Sequence, residues 1–354
     1  MHADGSLSTS STSTSLNADP ILSIPPPLHL RVAYFISLWA FKVSFQLGLS
    51  ASRLLQKRRR DLLQPEIKAY EVRPDLKNRI FRPQDSEDEE LPLYLDVHGG
   101  GWAVADPETD DEFCSFLAQN FNIIVVSVDY HKSPKHRFPR AVEDVAAIAQ
   151  AVMSDESLNI DKSKVVLGGF SAGGNLAFAA AQTKVLCGQL SGLVGFYPVL
   201  DLTEPTEKKL SRRPRNGPPD ILASSANFLD WAYVPAGTDR RDPLLSPRFA
   251  HRKNLPSYAY LVGAEYDMLC YEARQMAESL AMYSAMDCER TSIPTLPEGD
   301  GWQRGGIRWE IARGRQHAFT HITKHGREER DRVKFCQELY NRVGCWLNEE
   351  VWAR

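Results

Sequence analysis

The sequence predicts an α/β fold in which a mostly parallel central sheet is covered by helices on both faces. From about Leu91 onward, short apolar runs typical of strands alternate with stretches whose apolar residues recur at helical spacing. The run 123–129 is almost continuously apolar, as expected of a strand buried on both faces. The chain has 354 residues, of which 43% are hydrophobic and 25% charged, a composition typical of globular proteins rather than disordered or fibrous ones.

The first half of this alternation leads to an alanine-rich helix. A strand at 91–98 runs into three glycines, and Pro139 then opens a helix whose valines and isoleucine recur at helical spacing up to residue 152. A further apolar run at 164–169 also ends in glycines. The stretch 172–183 is rich in alanine, the residue with the highest helix propensity, and we expect it to be a helix.

The second half repeats the pattern with longer connections. Strands are predicted at 193–197, 258–263 and 308–312, and a helix is predicted at 271–286 between the last two strands. The chain closes with a helix whose apolar residues recur at helical spacing between 333 and 346. Strands that alternate with helices in this way form a parallel sheet through crossover connections.

Two segments interrupt the rhythm within the main domain, which we expect to span 67–354. The first, 203–235, begins with a stretch rich in Pro, Lys and Arg and then regains a helical pattern at 220–234. We expect it to form a cap above the edge of the sheet. The second, 287–307, is rich in Pro and Gly, and we expect it to be a flexible insertion.

The amino-terminal part is predicted to contain a tail and a helix. Residues 1–27 are rich in Ser and Thr and close with three prolines, a composition that predicts a disordered tail. Residues 28–55, within an amino-terminal segment at 28–66, form an apolar helical stretch. Its three interpretations are a helix packed on the protein, an interfacial anchor and a membrane span. Because Lys42 lies near its middle, the first interpretation is favoured over a span.

Charge and cysteine content narrow the classes of partner. The formal net charge is −3, so no global field attracts nucleic acid, and the basic run at 57–60 is interpreted as a solvated helix end. The six cysteines show neither CxxC spacing nor zinc-finger spacing, which predicts isolated thiols in a reducing compartment. We therefore expect a cytoplasmic protein that does not bind nucleic acid. Weak membrane association through 28–55 and homodimerisation remain open.

The strongest chemical signal is a serine between a predicted strand and a predicted helix. Ser171 lies in the sequence Gly-Phe-Ser-Ala-Gly, after the strand at 164–169 and before the helix at 172–183. In a nucleophile elbow, such a sharp turn lifts the serine hydroxyl above the sheet, and small neighbours let strand and helix approach each other. Ser171 is therefore the candidate nucleophile.

A glycine run upstream is a candidate oxyanion hole. Gly99, Gly100 and Gly101 follow the strand at 91–98 and expose backbone N–H groups without side-chain obstruction. Two of these donors, together with the N–H of Ala172 after the nucleophile, can bind the negative oxygen that develops during acyl transfer. The alternative, a plain flexible turn, is less consistent with the position of the run directly after a strand.

A serine nucleophile needs a base and a group that orients the base. In chain order these groups should follow as an acid and then a histidine, each just after a later strand. His317 is the histidine that directly follows a late predicted strand, with His321 as its nearest competitor. Asp267 follows the strand at 258–263, with Glu265 as its competitor. We predict that His317 is the base and Asp267 the orienting acid.

With these motifs in order, the chain resembles the hormone-sensitive-lipase branch of the α/β-hydrolase fold, which includes arylacetamide deacetylases and many microbial carboxylesterases. The resemblance implies a serine esterase that needs no metal or cofactor, acts on small-molecule substrates and has a cap built partly from amino-terminal helices. The segments that carry the resemblance are HGGGW at 98–102, 128–134, 138–139, 143–144, SAGGN at 171–175, 197–198, 242–244, 267–269, Glu272 and HAF at 317–319.

The sequence departs from the family pattern beside the nucleophile. Phe170 stands where the family usually has Asp, so we expect a more apolar pocket floor, with Phe170 and Trp102 contacting substrate. The segment 203–219 has no recognised counterpart, and the insertion 287–307 widens the acid-to-histidine interval. We predict hydrolysis of carboxylic esters of small to medium, largely apolar substrates. Alternatives are an amide deacylase such as an arylformamidase, a lactonase, and a non-catalytic receptor for a small ligand.

Overall fold

The structure is a computed structural model that describes residues 19–55, 62–83, 89–284 and 299–353. Within these ranges, nine strands form one sheet in the order β1-β2-β4-β3-β5-β6-β7-β9-β8. The strands are β1 Glu66–Tyr70, β2 Arg73–Phe81, β3 Leu91–Val97, β4 Ile124–Val128, β5 Ile160–Phe170, β6 Gly192–Phe196, β7 Tyr258–Ala264, β8 Gly301–Arg304 and β9 Ile307–Ala312.

The six central strands of the sheet, from β4 to β9, are parallel, and both of its edges are antiparallel. Strand β3 pairs in parallel with β4 and β5, and the parallel pairing continues through β6 and β7 to β9. Strands β1, β2 and β8 run antiparallel to their neighbours. The prediction of a mostly parallel sheet is confirmed. The parallel arrangement brings the carboxyl ends of β3, β5, β7 and β9 to one edge, which is where ligands bind in open α/β sheets.

Helices cover both faces of the sheet. Successive residues of β3 contribute to two separate apolar clusters: Leu93 and Leu95 to one, Tyr94 to the other. The first cluster includes residues of α3, α4 and α7, and the second includes residues of α2 and α8. The helices are α1 Leu28–Leu55, α2 Asp111–Phe121, α3 Arg140–Met153, α4 Ala172–Ala180, α5 Thr206–Ser211, α6 Ala226–Tyr233, α7 Cys270–Ser284 and α8 Gly326–Trp346.

Helix α1 lies against the cap. One stripe of the helix faces inward, where Phe41 contacts Phe228 of α6 with ring centroids 5.6 Å apart. Lys42, the charge within the apolar stretch, donates from Nζ to the carbonyl oxygen of Ala103 at 2.5 Å. By length and composition, the part of α1 from Leu28 to Ser50 could cross a membrane, with a mean hydropathy of 1.4 and 6% of it buried.

Several elements differ from their sequence-based predictions. Strands β1 and β2 and helix α2 were not predicted. Strands β1 and β2 form an edge hairpin in which polar and apolar residues are mixed in about equal numbers, so their sequence gives only a weak strand signal. The helix predicted at 220–234 is the shorter α6. The described end of the insertion predicted to be flexible contains β8, which pairs with β9.

Parts of three predictions lie outside the described residues. They are most of the tail at 1–27, the basic run at 57–60 and the larger part of the insertion at 287–307. Cys288 lies outside as well. In the part of the chain that the structure describes, the cysteines are Cys114, Cys187, Cys270, Cys336 and Cys345, and all five are free thiols.

Candidate active site

Ser171 lies at the sharp turn between β5 and α4. Its φ of 53° and ψ of −116° are unusual for a residue other than glycine, and such a conformation costs of order 1–3 kcal/mol. The turn also requires close packing of α4 on β3, because a Cβ on Gly173 would lie 1.9 Å from the carbonyl oxygen of Val97. The side chain of Ser171 reaches a cavity above the sheet edge. This geometry is that of a nucleophile elbow.

The structure brings Ser171, His317 and Asp267 together in one chain of hydrogen bonds. The Oγ of Ser171 lies 2.8 Å from Nε2 of His317, and Nδ1 of His317 lies 2.7 Å from Oδ2 of Asp267. The other carboxylate oxygen of Asp267 accepts from the backbone N–H of Leu269 at 2.9 Å. With Nδ1 protonated toward Asp267, the Nε2 of His317 is free to accept the proton of the serine hydroxyl.

The two competing residues make other contacts. His321 donates from Nε2 to Oδ1 of Asp110 at 2.6 Å, and burial is the main cause that lowers its pKa to about 4. Glu265 accepts from the N–H of Gly314 at 2.7 Å and from Nη1 of Arg313 at 3.2 Å. Neither side chain takes part in the chain of hydrogen bonds that ends at Ser171.

The glycine run lies beside the elbow, as the motif predicts. A Cβ placed on Gly99 would lie 3.5 Å from Cβ of Ser171, so the two backbones are in contact. Gly100 has a φ of +106°, and its carbonyl oxygen accepts from the N–H groups of Ala103 and Val104. These bonds fold the run into a tight turn. Gly101 continues the turn, and a Cβ on it would lie 2.6 Å from Leu229 of the cap.

Ala172 is the first residue of α4, where helix N–H groups have no partner within the helix. Ala172 directly follows Ser171 in the chain, and Gly99 packs against the backbone of Phe170 and the Cβ of Ser171. The partial positive charge of a helix amino terminus adds to the attraction for a developing oxyanion.

Aromatic and imidazole side chains that the sequence did not single out support the glycine turn. His98 donates from Nδ1 to the carbonyl oxygen of Gly99 at 2.7 Å, and the hydroxyl of Tyr130 donates to the same oxygen at 3.1 Å. The two rings stack with centroids 4.5 Å apart. Burial, followed by the charge of Lys132, lowers the pKa of His98, so the imidazole stays neutral. The histidine of the HGGGW motif was the available signal for this support.

The two residues predicted to contact substrate border the cavity but are fixed by protein contacts. Trp102 stacks on Tyr233 with ring centroids 4.3 Å apart and donates from Nε1 to Asn175 at 3.3 Å. Phe170 is 1% exposed, and its ring stacks on Phe196 at 4.5 Å. Most of the surface of both rings is therefore used in packing, and their contact with substrate stays a prediction.

The cavity has a volume of about 990 Å³ and lies between the carboxyl edge of the sheet and the cap. Its floor carries Ser171 and His317. The side chains that α1 contributes to its lining are all apolar, whereas the cap segment contributes both apolar and polar side chains. Volumes of this size are typical of sites for small molecules. The apolar lining from these elements includes Phe41, Phe45, Leu49, Ile221, Leu222 and Leu229.

A buried pair of carboxyl groups adjoins the same cavity and was not predicted. Asp96 and Asp110 are both almost fully buried, and the hydroxyl of Ser127 donates to Asp96 at 3.1 Å. Burial raises the pKa of Asp110 to about 7, and burial together with Asp110 raises the pKa of Asp96 well above its usual range. Asp110 borders the cavity beside His321. No motif marks this pair, since each acid lies in a different element.

Metal-ligating side chains do not cluster in the part of the chain that the structure describes: no group of three or more His, Cys, Asp or Glu residues there is arranged to hold a metal ion.

Comparison with known proteins identifies the family. A model of the α/β-hydrolase fold matches residues 94–294. An esterase from Pyrobaculum calidifontis is 26% identical, with 87% of this chain and 94% of that chain covered and a TM-score of 0.64. A fungal esterase from Rhizomucor miehei is 23% identical, with 81% of this chain and 82% of that chain covered and a TM-score of 0.62. A thermostable esterase from Pseudomonas putida is 20% identical, with 90% of this chain and 91% of that chain covered and a TM-score of 0.68. This chain belongs to the α/β-hydrolase fold family.

Proposed function

We propose that the protein is a serine hydrolase of carboxylic esters in which Ser171, His317 and Asp267 form the catalytic triad. The observation that carries the proposal is the continuous hydrogen bonding from the Ser171 hydroxyl to the buried Asp267 carboxylate. Membership of the α/β-hydrolase fold family and the 26% identity to an esterase support the same function.

The first chemical step forms an acyl-enzyme. As Oγ of Ser171 attacks the ester carbonyl carbon, Nε2 of His317 accepts the hydroxyl proton, and Asp267 stabilises the resulting imidazolium. The carbonyl oxygen becomes an oxyanion beside the elbow. We propose that it accepts hydrogen bonds from the N–H of Ala172 and from N–H groups of the run Gly99, Gly100 and Gly101. The run ends at the cap, so cap and oxyanion site are in direct contact.

The remaining steps return the proton and release the acid. His317 donates its Nε2 proton to the leaving alcohol oxygen as the C–O bond breaks. A water molecule then attacks the acyl carbon, His317 accepts its proton, and collapse of the second tetrahedral intermediate restores the hydroxyl of Ser171. Because the same imidazole acts as base and acid twice, its position relative to Asp267 affects every step.

The cavity favours largely apolar substrates of small to medium size. Its volume of about 990 Å³ holds an acyl chain and an alcohol group together, and the wall that α1 contributes is formed by the apolar side chains of Phe41, Phe45 and Leu49. Trp102 and Phe170 border the cavity near the nucleophile, and we propose that the small parts of their rings left uncovered contact the substrate. We propose that esters with apolar acyl groups are preferred over charged ones.

Motif residues outside the triad support placement in the hormone-sensitive-lipase branch, close to arylacetamide deacetylases. Glu272, one of these motif residues, accepts from the N–H of Leu200 at 2.7 Å and pairs with Lys209 at 2.6 Å. Lys209 belongs to α5, so this motif residue anchors the cap.

The domain division that we propose assigns two segments to the cap. The amino-terminal segment 28–66 contributes α1, and the insertion 203–235 contributes α5 and α6; both are mounted on the catalytic domain at 67–354. Lys42 supports the first assignment because it ties α1 to the loop that follows the glycine run. The apolar outer face of α1 supports weak membrane association through 28–55.

The alternative activities are less well supported. An amide deacylase, an arylformamidase and a lactonase would use the same triad, but the similar proteins described above are esterases. A non-catalytic receptor would have no need for the hydrogen bonding between His317 and Ser171.

Triad variants of the purified chain test the proposal. Removal of either the nucleophile or the base should lower kcat for short p-nitrophenyl esters by about 10⁴-fold or more, and the Ser171→Ala/His317→Ala double variant should be hardly worse than either single variant. A fluorophosphonate should label the wild type once and leave Ser171→Ala unlabelled. Wild-type rates in Ser171→Ala would show that another group performs the hydrolysis.

A further inference from the structure

The Pro- and Arg-rich segment 203–219 contacts the loop that carries Asp267. Arg213 donates to the carbonyl oxygen of Tyr266, the residue before Asp267, from Nε at 3.2 Å and from Nη2 at 2.9 Å. The same guanidinium lies 3.1 Å from Oδ2 of Asp220, the residue that directly follows the segment. Arg213 therefore joins the cap to the main chain directly before the proposed catalytic acid.

Asp220 contacts the main chain on the other side of Asp267. Its Oδ2 accepts from the N–H of Met268 at 2.7 Å, and its Oδ1 accepts from the N–H of Leu222 at 2.8 Å. The Asp220 side chain is 1% exposed, so these bonds are shielded from water. One ion pair thus fixes the peptide groups on both sides of Asp267.

The segment also contacts the loop that carries His317. Gln316 donates from Nε2 to the carbonyl oxygen of Pro219 at 2.8 Å. The N–H of Tyr266 donates to the carbonyl oxygen of Arg315 at 2.8 Å, which joins the two loops. The acid loop and the histidine loop are therefore held against each other and against the cap.

Electrostatics makes the two residues of the pair interdependent. Burial and the neighbouring Asp267 raise the pKa of Asp220, whereas hydrogen bonds from the backbone and the charge of Arg213 oppose that rise. Without Arg213, the Asp220 carboxylate would be buried near another carboxylate without its cationic partner, which is strongly unfavourable. The carboxylate that fixes Met268 therefore depends on the guanidinium that fixes Tyr266.

We propose that Arg213 and Asp220 are positioning residues of the triad, which hold the loop of Asp267 so that its carboxylate keeps the His317 imidazole aligned for proton transfer. The inference rests on the proposed esterase function. It assigns a role to the segment that has no recognised counterpart in the family: part of the cap acts as a clamp on the catalytic acid.

Loss of alignment has a chemical signature. An alkoxide is a poor leaving group and needs the proton that His317 donates, whereas p-nitrophenolate leaves readily without it. A misplaced imidazole therefore slows cleavage of alkyl esters more than cleavage of p-nitrophenyl esters. A smaller fraction of folded protein would slow both substrates by the same factor.

The test compares kcat/KM of Arg213→Gln and wild type on a p-nitrophenyl ester and on the ethyl ester of the same acid. Rates are expressed per active site, counted with a fluorophosphonate. We expect a loss of about fivefold on the p-nitrophenyl ester and on the order of fiftyfold on the ethyl ester. The latter is less than the roughly 10²–10⁴-fold that general acid–base catalysis supplies, as expected when the imidazole is misaligned but still present. Arg213→Lys keeps the positive charge but lacks the planar guanidinium, two of whose nitrogens donate to the carbonyl oxygen of Tyr266. It should therefore give an intermediate loss on the ethyl ester.

Arg212→Gln is the matched control. Arg212 neighbours Arg213 but pairs with Glu204 at 2.8 Å and lies over the ring of Tyr271 at 4.1 Å, without a hydrogen bond to the acid loop. Its kcat/KM should stay within about twofold of wild type on both esters. If Arg213→Gln yields too little folded protein, the comparison is made with Arg213→Lys.

Two results would overturn the positioning role: equal factors of loss on both esters in the Arg213 variants, or wild-type rates on the ethyl ester. Failure of the proposed function looks different. In that case wild type would hydrolyse neither ester above the Ser171→Ala background, and the positioning role would fall with it. An active wild type with unaffected Arg213 variants would contradict the positioning role alone.

Discussion

Phe170, the residue before Ser171, is held in the core by contacts with other aromatic rings. Phe170 and Phe196 belong to the apolar cluster on the α2 and α8 side of the sheet, and their rings stack on each other. The imidazole of His321 is roughly perpendicular to the Phe170 ring, with ring centroids 4.8 Å apart. The family that the sequence resembles usually has Asp at this position. In this chain a carboxylate there would be buried among aromatic rings, which is unfavourable.

Phe170→Asp should therefore destabilise the protein. The loss of the ring alone is expected to cost about 3 kcal/mol or more in the free energy of unfolding, and the buried carboxylate adds to that cost. Phe170→Leu, which retains an apolar side chain, should cost less than half as much. Urea unfolding followed by circular dichroism measures both. Equal stability of wild type and Phe170→Asp would show that the site accommodates a charge.

The Asp110–His321 pair predicts a specific pH dependence of stability. The pKa of Asp110 is raised to about 7, so the folded state keeps a proton that the unfolded state releases near pH 4. The Asp110 contribution to stability is therefore lost as pH rises from about 4 to about 7. His321, whose pKa is lowered to about 4, acts in the opposite direction over much of this range. The comparison must therefore be made against a variant.

Asp110→Asn removes the titrating carboxyl and keeps an acceptor for His321. Relative to wild type, its free energy of unfolding should increase with pH between about 4 and about 7, by on the order of 1 kcal/mol per pH unit. Thermal unfolding in a series of buffers gives this difference. Asp161→Asn, at a surface carboxyl whose pKa is lowered, should show no such increase. A difference that does not change with pH would mean that Asp110 is ionised throughout.

Helix α1 contributes the inner stripe that closes the cavity. Phe41, Phe45 and Leu49 line the cavity, and Leu38 is fully buried against the cap. Helix α1 carries apolar side chains on two faces. The inner face completes the wall of the cavity, and the outer face is left uncovered.

Deletion of this helix should lower activity. Removal of 1–58 takes away the apolar wall and the Lys42 contact, and we expect kcat/KM for a hydrophobic p-nitrophenyl ester to fall about tenfold, equivalent to about 1.4 kcal/mol. Removal of 1–18 should leave kcat/KM unchanged, since the described contacts begin after that point. Full activity after removal of 1–58 would exclude a cap role for α1.

In the molecule as a whole, the outer face of α1 is an apolar surface that remains uncovered beside the cavity. Val32, Phe35, Ile36, Trp39 and Val43 are each about half exposed or more. Contiguous exposed apolar surface marks an interaction site. The neighbouring cavity for apolar esters favours a lipid surface as the partner.

Vesicle flotation tests this partner. Wild type should float with vesicles of mixed zwitterionic and anionic lipids, and Phe35→Asp/Ile36→Asp should reduce the bound fraction at least about tenfold, because two apolar side chains no longer enter the interface. Hydrolysis of a soluble ester should stay within about twofold of wild type. Met282→Asp, at an exposed apolar residue of α7, is the control. If light scattering instead shows that the double variant converts a dimer to a monomer, this face is a homodimer interface.

The sequence by itself determined the local parts of this protein. The alternation of strands and helices, the elbow at Ser171 and the glycine turn at Gly99 follow from neighbouring residues, because backbone conformation and amphipathic spacing are set within a few positions. Position after a late strand was enough to favour His317 over His321 as the candidate base, and it placed Asp267 and its competitor Glu265 together after one strand.

The tertiary structure alone decided which distant residues meet. Asp96 and Asp110 share one buried site, and Arg213 and Asp220 hold the acid loop, although no sequence pattern links the members of either pair. The strands β1 and β2 were likewise unpredictable, since their mixed polar and apolar sequence becomes ordered by pairing with the sheet. Burial and long-range contact set the pKa values, the cavity and the clamp, and these depend on how the elements pack rather than on the residues within each element.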